Sequence, residues 1–156
     1  MSSAASMTDN NDPRLLAKKC AQAMWPKDRA SHSMDLQLQS VDEGSAVMTM
    51  EVKEYMLNGY HMCHGGYIFS LADSTFAYAT NSQNQAAVAS SCSIDYLQPA
   101  YQGEVLTARA EMLYQSGRTG LYDIVVSNAG GDVIARFRGR STRINKPVLS
   151  EEPQHD

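Results

Sequence analysis

His64-Gly65-Gly66-Tyr67-Ile68-Phe69-Ser70-Leu71-Ala72-Asp73-Ser74-Thr75-Phe76-Ala77-Tyr78-Ala79-Thr80 is the stretch on which the fold turns. Ile68, Leu71, Ala72, Thr75, Phe76 and Ala79 recur at three- and four-residue spacing, which predicts one helix. Its other side is hardly more polar, with Phe69, Ala77 and Tyr78. A helix that is apolar nearly all round belongs in the middle of something larger. Yet it carries one carboxylate, Asp73. An unpartnered buried carboxylate is costly, so the protein must pair it, wet it or use it.

Working outward, the period changes from about 3.6 to 2 upstream of this helix. Met34, Leu36, Leu38 and Ser40 alternate with Asp35, Gln37 and Gln39, Asp42-Glu43-Gly44 turns the chain, and Ala46, Met48 and Met50 alternate on the return. That is a hairpin. Residues 53–57 read as a helical turn, and Asn58-Gly59 as a tight bend into the central helix. Nearer the start, Asp12 caps a short helix with Pro13 at its first position, and Leu15, Leu16, Lys19, Cys20 and Ala23 follow at helical spacing. Pro26 predicts its end at Trp25.

Downstream, residues 81–85 form a polar link to four strand-like runs at 86–100, 104–115, 120–128 and 132–144, divided by glycine-bearing turns. Short connections predict antiparallel pairing of successive strands. Six strands and one apolar helix that must be covered give an α+β domain, a curved antiparallel sheet wrapped round a long central helix. Residues 13–145 read as one domain, with flexible tails at 1–12 and 146–156.

Composition narrows the function classes. A chain of 156 residues suits one domain with a real core. A net charge of -4 argues against nucleic acid or an anionic membrane as partner. No run reaches the roughly 20 apolar residues of a membrane span. The first residues carry neither a basic nor an apolar signal region. Cys20, Cys63 and Cys92 are odd in number and scattered, which fits a reduced, cytoplasmic setting rather than a disulfide framework.

For chemistry, Asp73 is a candidate base or nucleophile, its pKa raised by burial; the competing reading is a buried Asp that only shapes the core. His64-Gly65-Gly66 leaves bare N–H groups at a helix start, fit for an oxyanion, or else lets the helix approach another backbone. His61, Cys63 and His64 lack the second cluster of a usual zinc pattern, so no metal is expected. Arg136, Arg138 and Arg140 share one strand face, as a phosphate-binding stripe or a charged edge, with Arg118 in a turn that could join them. Gly65 and Asp73 are eight residues apart, roughly 12 Å on one helix, too far to serve one carbonyl. If both act, the second group comes from another copy of the chain.

Asn58-Gly59, Cys63-His64-Gly65-Gly66 and Phe69-Ser70-Leu71-Ala72-Asp73 together resemble the hotdog-fold acyl-CoA thioesterases, within them the phenylacetate-degradation (PaaI) branch. The similarity runs on through Asn81-Ser82, Ile94-Asp95-Tyr96-Leu97, the run from Gly117 to Asp123, and Phe137-Arg138-Gly139. It implies a homodimer with shared sites, commonly paired into a homotetramer, that hydrolyses acyl-CoA without metal or other cofactor, the acyl group being aryl-acetyl or hydroxylated phenylacetyl. The resemblance implies that the Gly65 N–H polarises the thioester carbonyl while His64 and Asn58 shape the pocket. Asp73 from the facing subunit would attack or activate water, and Ser74 would position it, where the family often has Thr. CoA phosphates would give Arg118, Arg136 and Arg138 a partner. A non-catalytic acyl-CoA binder and a hotdog dehydratase are the alternatives; the first needs no carboxylate at 73, and the second wants a catalytic His paired with one.

Overall fold

A computed structural model describes residues 11–150 of the chain. The expected flexibility of residues 1–10 and 151–156 lies outside the described residues. Helix α1 (Pro13–Met24) begins with Asp12, whose carboxylate accepts from Arg14 N at 3.0 Å. It leaves the α-helical pattern just before Pro26, but Trp25 keeps right-handed helical dihedrals, and the chain tightens into a single helical turn at Trp25–Lys27. The proline thus tightens the helix without forcing the preceding residue to extend.

A short helix, α2 (Arg29–Ser33), stands just before the alternation that predicts a strand from Met34, and its C-terminal cap takes the first residue of that run. Asp28 creates it. Its carboxylate accepts from Ser31 N at 3.1 Å, from Ser31 Oγ at 2.6 Å and from the Tyr78 hydroxyl at 2.9 Å. Met34 is therefore buried at a helix end, and strand β1 (Gln37–Asp42) begins only after Asp35 turns the chain with φ of 53°. β1 pairs with β2 (Ser45–Glu51) through the expected turn, where Gly44 takes φ of +68°.

Helix α3 (Gly65–Thr80) is the predicted central helix, and all six residues of the predicted face are buried. The remaining strands are β3 (Ala87–Tyr96), β4 (Val105–Ser116), β5 (Thr119–Ser127) and β6 (Val133–Arg143). All neighbours are antiparallel, in the order β1-β2-β4-β5-β6-β3. β3 and β4 are consecutive in the chain but do not pair: after α3 the chain re-enters at the far edge, and β3 pairs with β6 instead. Asn81 fixes that re-entry. Its side-chain amide donates to the Ala77 carbonyl at 2.9 Å, and its carbonyl accepts from Ala87 N at 3.0 Å. Beyond β6, Ala86 N donates to the Lys146 carbonyl at 2.9 Å and Leu149 N to Asn84 Oδ1 at 2.9 Å.

The concave face of the sheet receives α3 through interlocked rings. Phe76 packs on Tyr122 and Phe137 at centroid distances of 5.5 and 5.9 Å. Gly139 makes room: a Cβ there would lie 2.6 Å from the Phe76 ring. Phe76 is fully enclosed and cannot swing away, so Gly139→Ala should cost about 1–3 kcal/mol of stability by overpacking, read as a lower denaturant midpoint.

Candidate active site

The loop before α3 is tied so that its polar groups have assigned jobs. Leu57 and Cys63 form an isolated antiparallel bridge, and Asn58 N donates to the Met62 carbonyl at 2.8 Å. The Asn58 side-chain oxygen accepts from Tyr60 N at 2.9 Å and Met62 N at 3.2 Å. Because backbone N–H groups only donate, this fixes which end of the amide is which and leaves its NH2 without a partner among the described residues. His64 caps α3: its Nδ1 accepts from Gly66 N at 2.9 Å, so a neutral ring carries its proton on Nε2. Gly65, first in the helix, keeps an N–H without an intrahelical acceptor.

These groups border a cleft of about 650 Å³ lined by Asn58, Met62, Cys63, Gly65, Ile68 and Tyr96, and continued by residues 97–100. The helix dipole adds positive potential at its Gly65 end. Cys63 is buried beside this site, and burial pushes its thiol up to about 11, which keeps it neutral near pH 7 and removes it as a thiolate nucleophile. Among the described residues, no cluster of three His, Cys, Asp or Glu side chains could hold a metal ion, and no helix is long and apolar enough to cross a membrane.

Asp73 lies two turns along α3 and is half-buried. No hydrogen bond or ion pair engages its carboxylate among the described residues. Burial raises its pKa above the ordinary 3.8. Cys92 of β3 stands close enough for the Asp73 charge to raise its thiol, after the larger effect of burial. Asp73 therefore faces the sheet's β3 edge, not the cleft at Gly65.

Ser74 sits one residue on, about 100° round the helix. Its Oγ is 3.3 Å from Ser31 Oγ, within the Asp28 network. The structure thus brings Asn58, His64 and Gly65 together, places Asp73 apart on the same rod, and turns Ser74 towards α2.

The arginines divide. Arg138 makes a two-pronged ion pair with Asp123 at 2.8 and 3.2 Å on the outer face of the sheet, and that hydrogen bonding raises its pKa. Arg136 is exposed on the same face, beside Asp95 and Asp123 in a shallow cavity of about 330 Å³. Arg118 is elsewhere. Its Nε donates to the Arg143 carbonyl at 3.0 Å, and with Arg143, Lys146, Asn84 and Asn145 it lines a separate cavity of about 330 Å³ that no carboxylate borders among the described residues. Arg143 donates to Gln83 Oε1 at 2.9 Å, but its buried Nε has no partner among the described residues.

Sequence reasoning did not assign roles to Tyr96, Arg143 or Lys146. Tyr96 ends an edge strand and its hydroxyl donates to the Gly65 carbonyl at 2.8 Å, a contact across 31 residues that no local pattern announces. Arg143 lies off the period-2 arginine row, so only the orphaned nitrogen marks it.

The thioesterase superfamily pattern matches residues 60–135. The acyl-coenzyme A thioesterase PaaI of Escherichia coli K12 is 48% identical over 131 residues, covering 84% of this chain and 94% of that protein. The structure of the E. coli PaaI protein from the phenylacetic acid degradation operon superposes with a TM-score of 0.86 at 46% identity, over 87% of this chain and 99% of that one. A Streptococcus mutans UA159 protein solved bound to acetyl CoA superposes with a TM-score of 0.69 at 28% identity, over 71% of this chain and 90% of that one.

The unpaired acid should burden the fold in a pH-dependent way. Below about 3.8, Asp73 is protonated in both folded and unfolded chains and costs nothing. As pH rises through its elevated folded value, the unfolded chain ionises more readily and stability is lost. Asp73→Asn should therefore melt higher than wild type at pH 7, with the gap closing as pH falls towards 4 in paired thermal melts.

Proposed function

The chain belongs to the thioesterase superfamily and is a thioester hydrolase, and from that premise we propose that it cleaves acyl-coenzyme A carrying a ring-containing, phenylacetyl-type acyl group. The observation that carries the reading is the division of α3 into two unspent groups, a free Gly65 N–H over an open cleft and an unpaired, proton-seeking Asp73. The thioester carbonyl rests at Gly65, where the N–H and the helix dipole stabilise the oxyanion, and the free Asn58 NH2 adds a second donor. Asp73 of the facing subunit either deprotonates a water that attacks the carbonyl carbon, or itself attacks that carbon to form a mixed anhydride that water then hydrolyses. In both the C–S bond breaks and the departing CoA thiolate takes up the proton given by the water. Apolar Met62, Ile68 and Leu97 beside the Tyr96 ring favour an aromatic acyl group.

A homodimer follows from the same geometry, since roughly 12 Å of helix separates the two groups. β3 supplies the surface. It is a ten-residue edge strand, exposed along most of its length, with Val88 and Tyr96 uncovered. Long open edges of this kind are normally covered. The opposite edge, β1, is six residues long and has α1 packed against it. Joining two β3 edges brings each Asp73 towards the partner's cleft.

The CoA phosphates fit Arg118 with Arg143 and Lys146 better than Arg136 and Arg138, because no carboxylate among the described residues lines that cavity whereas Arg138 is already paired. Cys92, beside Asp73, is five residues from Ala87, which pairs with Arg143. Five strand residues span about 17 Å, a distance that an extended pantetheine arm can bridge.

Two measurements test this reading. Asp73→Asn should keep its fold and release thiol from phenylacetyl-CoA about 10²–10⁴-fold more slowly, as expected for a lost base; unchanged turnover would refute the assignment. Arg118→Ala with Lys146→Ala should raise KM for acyl-CoA severalfold and leave KM unchanged for the matching acyl-pantetheine, which has no nucleotide phosphates. An equal rise for both would move the phosphates elsewhere.

A further inference from the structure

Gly65 and Gly66 are the least constrained pair of residues that could open a helix. Each costs about 1 kcal/mol relative to alanine inside a helix, and neither has a side chain to pack. A donor serving an oxyanion must nevertheless be held within about 0.5 Å of its working position. Something outside the helix has to supply that rigidity.

Cys63 N and His64 N tie the approach to the turn, donating to the Ala100 and Met56 carbonyls at 2.8 and 2.7 Å, and three contacts hold the two glycines themselves. His64 Nδ1 takes the Gly66 N–H at 2.9 Å, and Ser70 Oγ donates to the Gly66 carbonyl at 2.8 Å. Both come from the helix itself or its cap. The third comes from the sheet, where the Tyr96 hydroxyl donates to the Gly65 carbonyl at 2.8 Å. The Tyr96 ring also lies against the Gly65 Cα, so closely that a Cβ on Gly65 would come 2.9 Å from ring carbon Cζ. The backbone beneath Tyr96 is firm: it pairs with Ala135 at the end of β3, and Leu97 N and Gln98 N both donate to the Ile134 carbonyl, at 2.8 and 3.2 Å. Tyr96 as a residue is 49% exposed, so the placement of its ring owes more to the Gly65 contact than to burial in the core.

We propose that Tyr96 is a positioning residue for thioester hydrolysis, clamping the Gly65 peptide against the sheet so that the Gly65 N–H points at the thioester oxygen. This rests on the acyl-CoA reading of the same cleft. The clamp also explains the glycine at 65: a side chain there would displace the ring that holds the turn. Burial, with a smaller contribution from Cys63, raises the Tyr96 pKa and keeps the hydroxyl a donor through the working pH range. Because the clamp acts on a donor engaged in the transition state, its loss falls on kcat rather than on substrate binding.

Tyr96→Phe keeps the ring and deletes only the hydroxyl. With phenylacetyl-CoA, kcat should fall by roughly tenfold while KM and Tm stay within about twofold and a degree or two, since small misplacements of a catalytic group cost one to two orders of magnitude. In the same variant, amide hydrogen exchange over residues 66–69 should accelerate while the rest of α3 is unchanged. Unchanged kcat, or a shift confined to KM, overturns the proposal, and so does unchanged exchange at 66–69. Asp73→Asn run alongside separates the two claims. If it abolishes turnover and Tyr96→Phe does not slow it, the clamp fails and the hydrolase reading stands. If the wild type releases no thiol from acyl-CoA, the substrate reading fails and the exchange measurement decides the clamp by itself.

Discussion

A helix that is apolar on almost every side has to be wrapped, and six strands wrap α3 except along one strip that faces the open β3 edge. Phe76 keys the helix to the sheet between Tyr122, Phe137 and the vacancy at Gly139. That register leaves Asp73 half-buried beside Cys92 and sets the Gly65 end over the cleft. The packing that makes the fold stable is therefore also what holds Gly65 and Asp73 in place.

The two ends are prepared differently. At Gly65 the polar groups are tied by short hydrogen bonds that settle which atoms remain free: Asn58 spends its oxygen and keeps its NH2, and His64 spends Nδ1 on the Gly66 N–H. At Asp73 there is no compensating partner among the described residues, and burial alone raises the pKa. A stability cost left in place at a functional position is the usual signature of strain retained for chemistry.

Much of this was legible in the sequence because it is periodic. All six residues of the α3 face, the hairpin of β1 and β2, and the strand character of the later runs follow from spacings of 3.6 and 2. What the sequence hid is non-local or short. α2 is five residues long and depends on Asp28 meeting Ser31 and Tyr78, a contact spanning 50 positions. The placement of β3 beside β6 rather than β4 depends on Asn81 pinning the chain at the far edge. Arg136 and Arg138 stood out by period, yet Arg138 is spent on Asp123, while a separate cavity gathers Arg118 from the β4–β5 turn, Arg143 from the end of β6 and Lys146 from the segment after it. Ser74 adjoins Asp73 in sequence but faces α2, because adjacent helical residues point about 100° apart.

The central claim is that one site is built from Gly65 of one subunit and Asp73 of another. Subunit mixing addresses it most directly, using Asp73→Asn and Gly65→Pro, which removes the N–H and, through its ring, also displaces Tyr96, so that both losses fall on the same half-site. Each variant alone should be nearly inactive on phenylacetyl-CoA. After the two are unfolded together and refolded, half of the dimers are mixed and each holds one intact site, so activity should recover to about a quarter of wild type. Mixtures that stay as inactive as the separate variants would contradict a site shared between subunits.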